Sequence, residues 1–171
     1  MSLPDHIEGP ALVLGDNVNT DVLHPSKFYS LDDKKVRRGF MGAVDGREIQ
    51  GQTDLSGRII VGGQNFGIGS SRETGARVFL LAGIQAVVAA SFARIYHRNV
   101  LNLGLVAVTC PALCHTRPAE DQIVRLNLAE GRLEFGETSL ATEALDPHWR
   151  QVLEAGGLMP FLGLDQGPKA S

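Results

Sequence analysis

The sequence predicts an α/β fold organised around a central β-α-β-α-β unit. Three observations predict it. Residues 58–61 (RIIV), 85–90 (QAVVAA) and 105–108 (LVAV) are short apolar runs of strand length. A longer helix-compatible stretch separates each run from the next. A glycine-rich turn links the first run to its helix, and alternation of this kind folds as parallel strands with crossover helices.

The elements follow in order along the chain. Residues 10–14 (PALVL) read as a strand, and residues 15–21 (GDNVNTD) as a turn-rich loop. Residues 31–41 are charged and helix-compatible, and they carry the basic cluster Lys34, Lys35, Arg37 and Arg38. Residues 42–57 are polar and glycine-rich, which fits a surface excursion. After the strand at 58–61 and its turn, a helix is expected over 71–82. The second helix is expected over 92–103. There Phe92, Ile95, Tyr96, Asn99, Val100 and Leu103 recur at the spacing of one helical face. Residues 122–128 and 132–135 alternate in polarity around Ala129-Glu130-Gly131, a β-hairpin pattern. Residues 147–155 (PHWRQVLEA) form a helix with Pro147 in its first turn and Gly156-Gly157 as its stop. Ser171 closes a short polar tail.

Composition narrows the functional classes. A chain of 171 residues is expected to form one compact domain with a real core. A net charge of −3 gives no broad basic field, so nucleic acid is not an expected partner. No apolar run has the length of a membrane-spanning helix, so no membrane association is expected. The first residues, MSLPDHIEGP, lack the layout of a secretory signal, and a cytoplasmic location is expected. The two cysteines, Cys110 and Cys114, read as reduced thiols. Two thiolates do not complete a zinc site or an iron–sulfur cluster, so no metal is assigned to this chain.

The segment GQNFGIGSSRETGAR, residues 63–77, is the richest in chemistry. A turn that leaves a strand and opens a helix aims several backbone N–H groups at one point, where the helix dipole favours an anion. Gly67 and Gly69 let the main chain bend and approach a ligand. Arg72 offers a planar fork for a carboxylate or phosphate, and Ser70 and Ser71 add hydroxyls. Ser70 and Glu73 also fit the S-x-x-E capping box, which needs no ligand. No G-K-[ST] follows the glycines and the third glycine of G-x-G-x-x-G is absent, which excludes the two common nucleotide fingerprints.

NFGIGSSRE, followed by GIQAVVAASFARIYHRNVLNLGL, resembles the swivel domain of the aconitase superfamily. The likeness is to the small subunits of two-subunit 3-isopropylmalate dehydratases and homoaconitases. GDNVNTDVLHP near the start and VLEAGGLMPFL near the end agree with it, so it covers most of the chain. The resemblance implies a swivelling β/β/α domain over residues 1–171, with a C-terminal hairpin and helix at about 122–162. It implies a hydro-lyase that removes water from a hydroxy di- or tricarboxylic acid and adds it back. It also implies a separate large subunit carrying a [4Fe–4S] cluster, in a heterodimer or heterotetramer, so that the isolated chain is inactive. Carried over residue by residue, Ser70 is the base that takes a proton from carbon, Ser71 hydrogen-bonds a substrate carboxylate and Arg72 clamps one. Asp21 matches an acidic active-site residue, with Thr20 beside it.

The chain departs from the family pattern at several positions. Relatives often carry an arginine in the short loop after TDVLHP, where it reads the substrate's side group. Here that loop is Lys27, Phe28, Tyr29 and Ser30, with Ser30 at the arginine's place. The resemblance therefore leaves the acid open among 3-isopropylmalate, homoaconitate and methylated malates, and a non-catalytic carboxylate-binding module is a further alternative. Thr74 stands where relatives often have histidine or glutamine, and Ile68 where they often have cysteine or threonine. His24, His97 and His115 fall on different elements and form no ligand set; His97 lies on the polar side of its helix and reads as solvated. The basic cluster reads as a solvated face; the alternative is that it attracts an acidic substrate or meets the large subunit.

Overall fold

The computed structural model describes residues 3–44, 46–47, 54–69 and 73–164. Four strands run parallel: β1 (His6–Val13), β2 (Ile59–Gly62), β3 (Ala86–Ala89) and β4 (Val106–Thr109). On the other side of β1, β5 (Ile123–Asn127), β6 (Arg132–Phe135) and β7 (Thr138–Ala141) are added antiparallel. The seven strands form one sheet in the order β4-β3-β2-β1-β5-β6-β7. The expected mixed α/β fold with its central β-α-β-α-β unit is present.

Burial explains the two halves. Every residue of β2 and β3 is buried, as strands covered on both faces require. In β5, exposed Ile123 and Arg125 alternate with buried Val124 and Leu126, so this half of the sheet keeps one wet face.

Among the described residues six α-helices accompany the sheet: α1 (Thr20–Leu23), α2 (Asp33–Arg38), α3 (Thr74–Leu81), α4 (Arg94–Asn102), α5 (Pro147–Glu154) and α6 (Leu158–Phe161). The central strands and helices fall where the sequence places them, within a few residues. Three details differ. The loop expected over 15–21 contains the start of α1, whose cap is Asn19 accepting from the Asp21 N–H at 2.7 Å. Strand β1 begins earlier than expected, at His6, because its first half pairs with β5 rather than β2. Strand β7 and helix α6 were not foreseen. Of the excursion over 42–57, residues 45 and 48–53 lie outside the described residues, as do residues 165–171 of the tail.

The core beneath the carboxyl ends of the parallel strands is aromatic. Phe40, Phe66 and Phe79 are wholly buried and Tyr96 is nearly so. Ring centroids lie 5.2 Å apart for Phe40–Phe79, 5.9 Å for Phe66–Tyr96 and 6.2 Å for Phe79–Tyr96. Pairs of this kind contribute about 0.5–1.5 kcal/mol each beyond their buried area. The Tyr96 hydroxyl donates to the Gly75 carbonyl at 3.1 Å, which fixes the ring, and burial pushes its pKa well up.

Ion pairs tie distant segments around this core. Arg77 of α3 pairs with Asp33 in the first turn of α2. Arg47 makes a two-point contact with Glu120 at 3.1 and 3.2 Å, and Glu120 also accepts from the Val13 N–H at 2.8 Å. Half-exposed pairs of this kind contribute about 1 kcal/mol or less apiece, so they fix position more than they stabilise. Cys110 is buried and Cys114 half-buried, and both are free thiols.

Candidate functional site

The site is built where the parallel strands end. Past β1 and β2 the chain keeps pairing in parallel for a few more residues. Gly67 N–H donates to Val18 O at 2.9 Å, and Thr20 N–H donates to Ile68 O at 2.7 Å. On the other side Phe66 N–H donates to Ser91 O and Ala93 N–H to Phe66 O, both at 2.9 Å. The loop 66–68 is thus clamped on both edges, above the aromatic core. Ligands of open α/β sheets bind at these carboxyl ends.

Glycine is required at two points of this loop. Gly67 has φ +85°, and a Cβ there would lie 2.2 Å from the Tyr96 ring. Gly69 has φ +110°, and a Cβ there would lie 2.3 Å from Asn19 Oδ1 and 2.9 Å from Thr20 Oγ1. Asn19 is also the residue that caps α1 through the Asp21 N–H. The backbone of Gly69 therefore lies directly on the turn that carries Asp21.

Ser70, Ser71 and Arg72 lie outside the described residues. Ser70 follows Gly69 by one peptide bond, and Gly69 lies beside Asn19 and Thr20. Glu73 occupies the cap position of α3 with helical backbone angles, and its side chain makes no cap hydrogen bond. The Ser70 half of the expected capping box lies outside the described residues.

The remaining candidates separate by environment. Asp21 is exposed, and its Oδ1 accepts from the Tyr29 hydroxyl at 3.3 Å. Thr20 is buried, with its Cβ facing Gly75 in α3, so it packs the Asp21 turn onto that helix. Phe28 lies against Gly39, where a Cβ would sit 2.5 Å from its own Cβ. Lys27 is exposed and its ammonium rests 5.1 Å from the Phe28 ring centroid. Ser30 Oγ accepts from the Asp32 N–H at 3.1 Å in the turn that precedes α2.

Several supporting residues escaped sequence reasoning. Asp16 Oδ1 accepts from the Gln64 N–H at 2.8 Å and from Arg117 at 2.5 Å. These two contacts, the backbone bond first, hold its carboxyl below the usual range. Gly63 makes room for the pair, since a Cβ there would lie 1.8 Å from Asp16 Oδ1. Asn65 Nδ2 donates to Asn17 Oδ1 at 2.9 Å, and both residues have φ near +53°. A left-handed conformation at Asn17 and Asn65, the asparagines that end GDN and GQN, is the trace these turns leave in the sequence.

The histidines differ from expectation. His97 is not solvated: it is half-buried, stacked on Phe92 with centroids 4.6 Å apart, and its Nε2 meets Ala107 O at 3.1 Å. His24 is fully buried beside Tyr29. In the basic cluster, Lys34, Lys35 and Arg38 are exposed, whereas Arg37 is half-buried over the Phe40 ring.

Among the described residues no three His, Cys, Asp or Glu side chains converge to hold a metal ion. Cys110 Sγ is buried against Ala141 O, and burial pushes its pKa up, which disfavours the thiolate that ligation needs. The donor set of this chain does not fit a [4Fe–4S] cluster. A cavity of about 470 Å³, lined by Leu3, Ile7, Gln85 and Val106 among others, opens at the amino ends of the strands, away from Asp21. No helix among the described residues is long and apolar enough to cross a membrane.

Comparison with known proteins bears on this geometry. The model of the aconitase C-terminal domain family matches residues 16–113, which contain both loops of the site. The 3-isopropylmalate dehydratase small subunit 1 of Methanopyrus kandleri is 37% identical over 170 residues, covering 97% of each chain. The 3-isopropylmalate dehydratase small subunit of Saccharolobus islandicus is 34% identical over 91% of this chain and 93% of its own. The crystal structure of a 3-isopropylmalate dehydratase from Methanocaldococcus jannaschii superposes with a TM-score of 0.83 at 31% identity, covering 92% of this chain and 93% of that one.

Proposed function

The chain belongs to the aconitase C-terminal domain family, and from that premise we propose that it is the small subunit of a hydro-lyase that isomerises 3-isopropylmalate by dehydration and rehydration. The whole chain acts as one swivel domain in the cytoplasm, in leucine biosynthesis. Its partner is a large subunit that carries the [4Fe–4S] cluster.

The observation that carries the reading is the clamped pair of loops: Thr20 N–H on Ile68 O at 2.7 Å, with Asn19 and Thr20 filling the space at Gly69. This contact brings the Asp21 turn to Gly69, the residue that precedes Ser70 in the sequence. Dehydration of a hydroxy acid removes a proton from one carbon and hydroxide from its neighbour. Ser70 takes the carbon-bound proton. A neutral serine is a poor base, so its alkoxide must be stabilised by the backbone N–H groups of its turn and by the Arg72 guanidinium. Arg72 holds a substrate carboxylate in two-point contact, Ser71 adds a hydrogen bond, and Asp21 closes the side of the pocket formed by the first loop, while buried Thr20 packs that turn onto α3 rather than facing substrate. Loss of the hydroxyl needs an electrophile, which in this reading the large subunit supplies; among the described residues no three donor side chains converge. The isolated chain is therefore expected to show no turnover.

The loop Lys27–Phe28–Tyr29–Ser30 selects the acid. Ser30 is committed to its turn and Tyr29 presents a ring, a surface that suits an uncharged branched side group. A second reading, homoaconitate, is favoured by Lys27, whose exposed ammonium is available to a third carboxylate; a methylated malate would instead require a smaller pocket at Tyr29. Turnover of the chain mixed with a large subunit, across a panel of these acids, tests the choice. Ser70→Ala should abolish that turnover while carboxylate binding largely survives. Full activity of Ser70→Ala would leave a carboxylate-binding module as the reading.

A further inference from the structure

His24 has no role in the function proposed above, yet it is the most constrained histidine among the described residues. It is wholly buried. Its Nε2 lies 2.9 Å from Val36 O. A carbonyl only accepts, so the proton sits on Nε2, and Nδ1 is left buried without a partner. The chain has made space for this ring: a Cβ on Gly39 would lie 2.7 Å from Nε2. Val36 belongs to α2, which Arg77 ties to α3 through Asp33. The imidazole is therefore anchored to the body of the domain rather than to its own loop.

On its outer side the imidazole stacks on Tyr29, with centroids 5.4 Å apart and planes 24° from parallel. The Tyr29 hydroxyl in turn donates to Asp21 Oδ1 at 3.3 Å. We propose that His24 is a positioning residue, whose anchored imidazole sets the plane of Tyr29 and so holds the Tyr29 hydroxyl on the Asp21 carboxylate. This rests on the reading that Asp21 faces the substrate. A tyrosine on a surface loop would otherwise sample several rotamers, and freezing it before substrate arrives removes that ordering cost from the bound complex. The stack also fixes which face of Tyr29 meets the substrate's side group.

The test uses His24→Gln, which keeps a donor for Val36 O and loses the ring, together with Tyr29→Phe, which keeps the ring and loses the hydroxyl. In the complex with the large subunit each substitution should lower kcat/KM about tenfold, the scale of one hydrogen bond to a charged group. Because His24 acts through Tyr29, the double variant should be no worse than the poorer single variant. Losses that multiply, or a His24→Gln complex with the parent kcat/KM, would overturn the proposal.

A second readout needs no activity. The chain has two tyrosines, Tyr29 and Tyr96. With ¹³C-labelled tyrosine, His24→Gln should shift the ring resonances of Tyr29 and leave those of buried Tyr96 in place. An unmoved Tyr29 would overturn the proposal. Should His24→Gln not fold, Tyr29→Leu probes the same contact from the loop side: the His24 ring resonances should move, and their constancy would be equally fatal. A complex inactive on every hydroxy acid would defeat the proposed function while the tyrosine shift still decides the role of His24.

Discussion

Gly69→Ala strikes the junction of the two loops. The new Cβ would sit 2.3 Å from Asn19 Oδ1 and 2.9 Å from Thr20 Oγ1, on a backbone at φ +110°. The backbone strain alone costs about 1–3 kcal/mol for a residue with a Cβ. Displacing Asn19 also removes the cap of α1, worth about 1 kcal/mol. The sum, about 2–4 kcal/mol, lowers Tm by roughly 4–16 °C in a chain of this size. The functional loss should be larger than the stability loss implies. Asn19 holds the Asp21 N–H, and a shift of about 1 Å in a reacting group can cost about 100-fold in rate. The assay is thermal unfolding of the chain alone, paired with turnover of the complex with its large subunit. Gly15→Ala is the control, since nothing lies within 4 Å of its Cβ position and its φ is not positive. If Gly69→Ala melts and turns over like Gly15→Ala, the loops do not meet as described. If it melts lower but keeps full turnover, the junction is structural and the placement of Asp21 at the site is wrong.

Further predictions concern pH and the supports of the site. Burial pushes the pKa of His24 below its ordinary value, so the unfolded chain binds a proton that the folded chain refuses. Stability should therefore fall as pH drops below about 6.5, by up to about 1.4 kcal/mol per pH unit until the folded pKa is reached. His24→Gln should flatten that slope in urea titrations across pH, and an unchanged slope would contradict the burial. Asp16 has the opposite dependence: its carboxyl is held low by Gln64 N–H and Arg117, so its contribution is present above the unfolded carboxylate pKa and is lost as pH falls through the folded value. Asp16→Asn should remove that acid-side loss, and an unaltered acid limb would refute the assignment. Tyr96→Phe leaves the Gly75 carbonyl without its side-chain donor and should destabilise the chain by about 1–2 kcal/mol, measurable by denaturant unfolding.

The legible parts of the fold are those where burial imposes a pattern. β2 and β3 stand out as unbroken apolar runs because both of their faces are covered, and β5 and β6 because one face is wet. β7 is an edge strand of Thr138, Ser139, Leu140 and Ala141 with no fully buried residue, so nothing in its composition separates it from a loop. α1 and α6 are single turns of four residues, too short for periodicity to register. His97 sits on the polar side of α4 by helical spacing, but Phe92 and the Ala107 carbonyl of β4 give that side partners which no local window reveals. The same limit applies to the site. The positive-φ glycines of the loop are legible because the backbone geometry demands them, and Asp21 is a candidate because the family motif marks it. The Asp16–Arg117 pair spans 101 positions, and the burial of His24 depends on Gly39 having no side chain. Both are tertiary facts.

In the proposed function this chain supplies a proton acceptor and carboxylate ligands to a site completed by another subunit. The most direct measurement is 3-isopropylmalate turnover by the purified chain, by the large subunit, by their mixture, and by the mixture made with Ser70→Ala. Turnover is expected in the unsubstituted mixture and in no other sample. Turnover by the chain alone, or by the Ser70→Ala mixture at the parent rate, would contradict it.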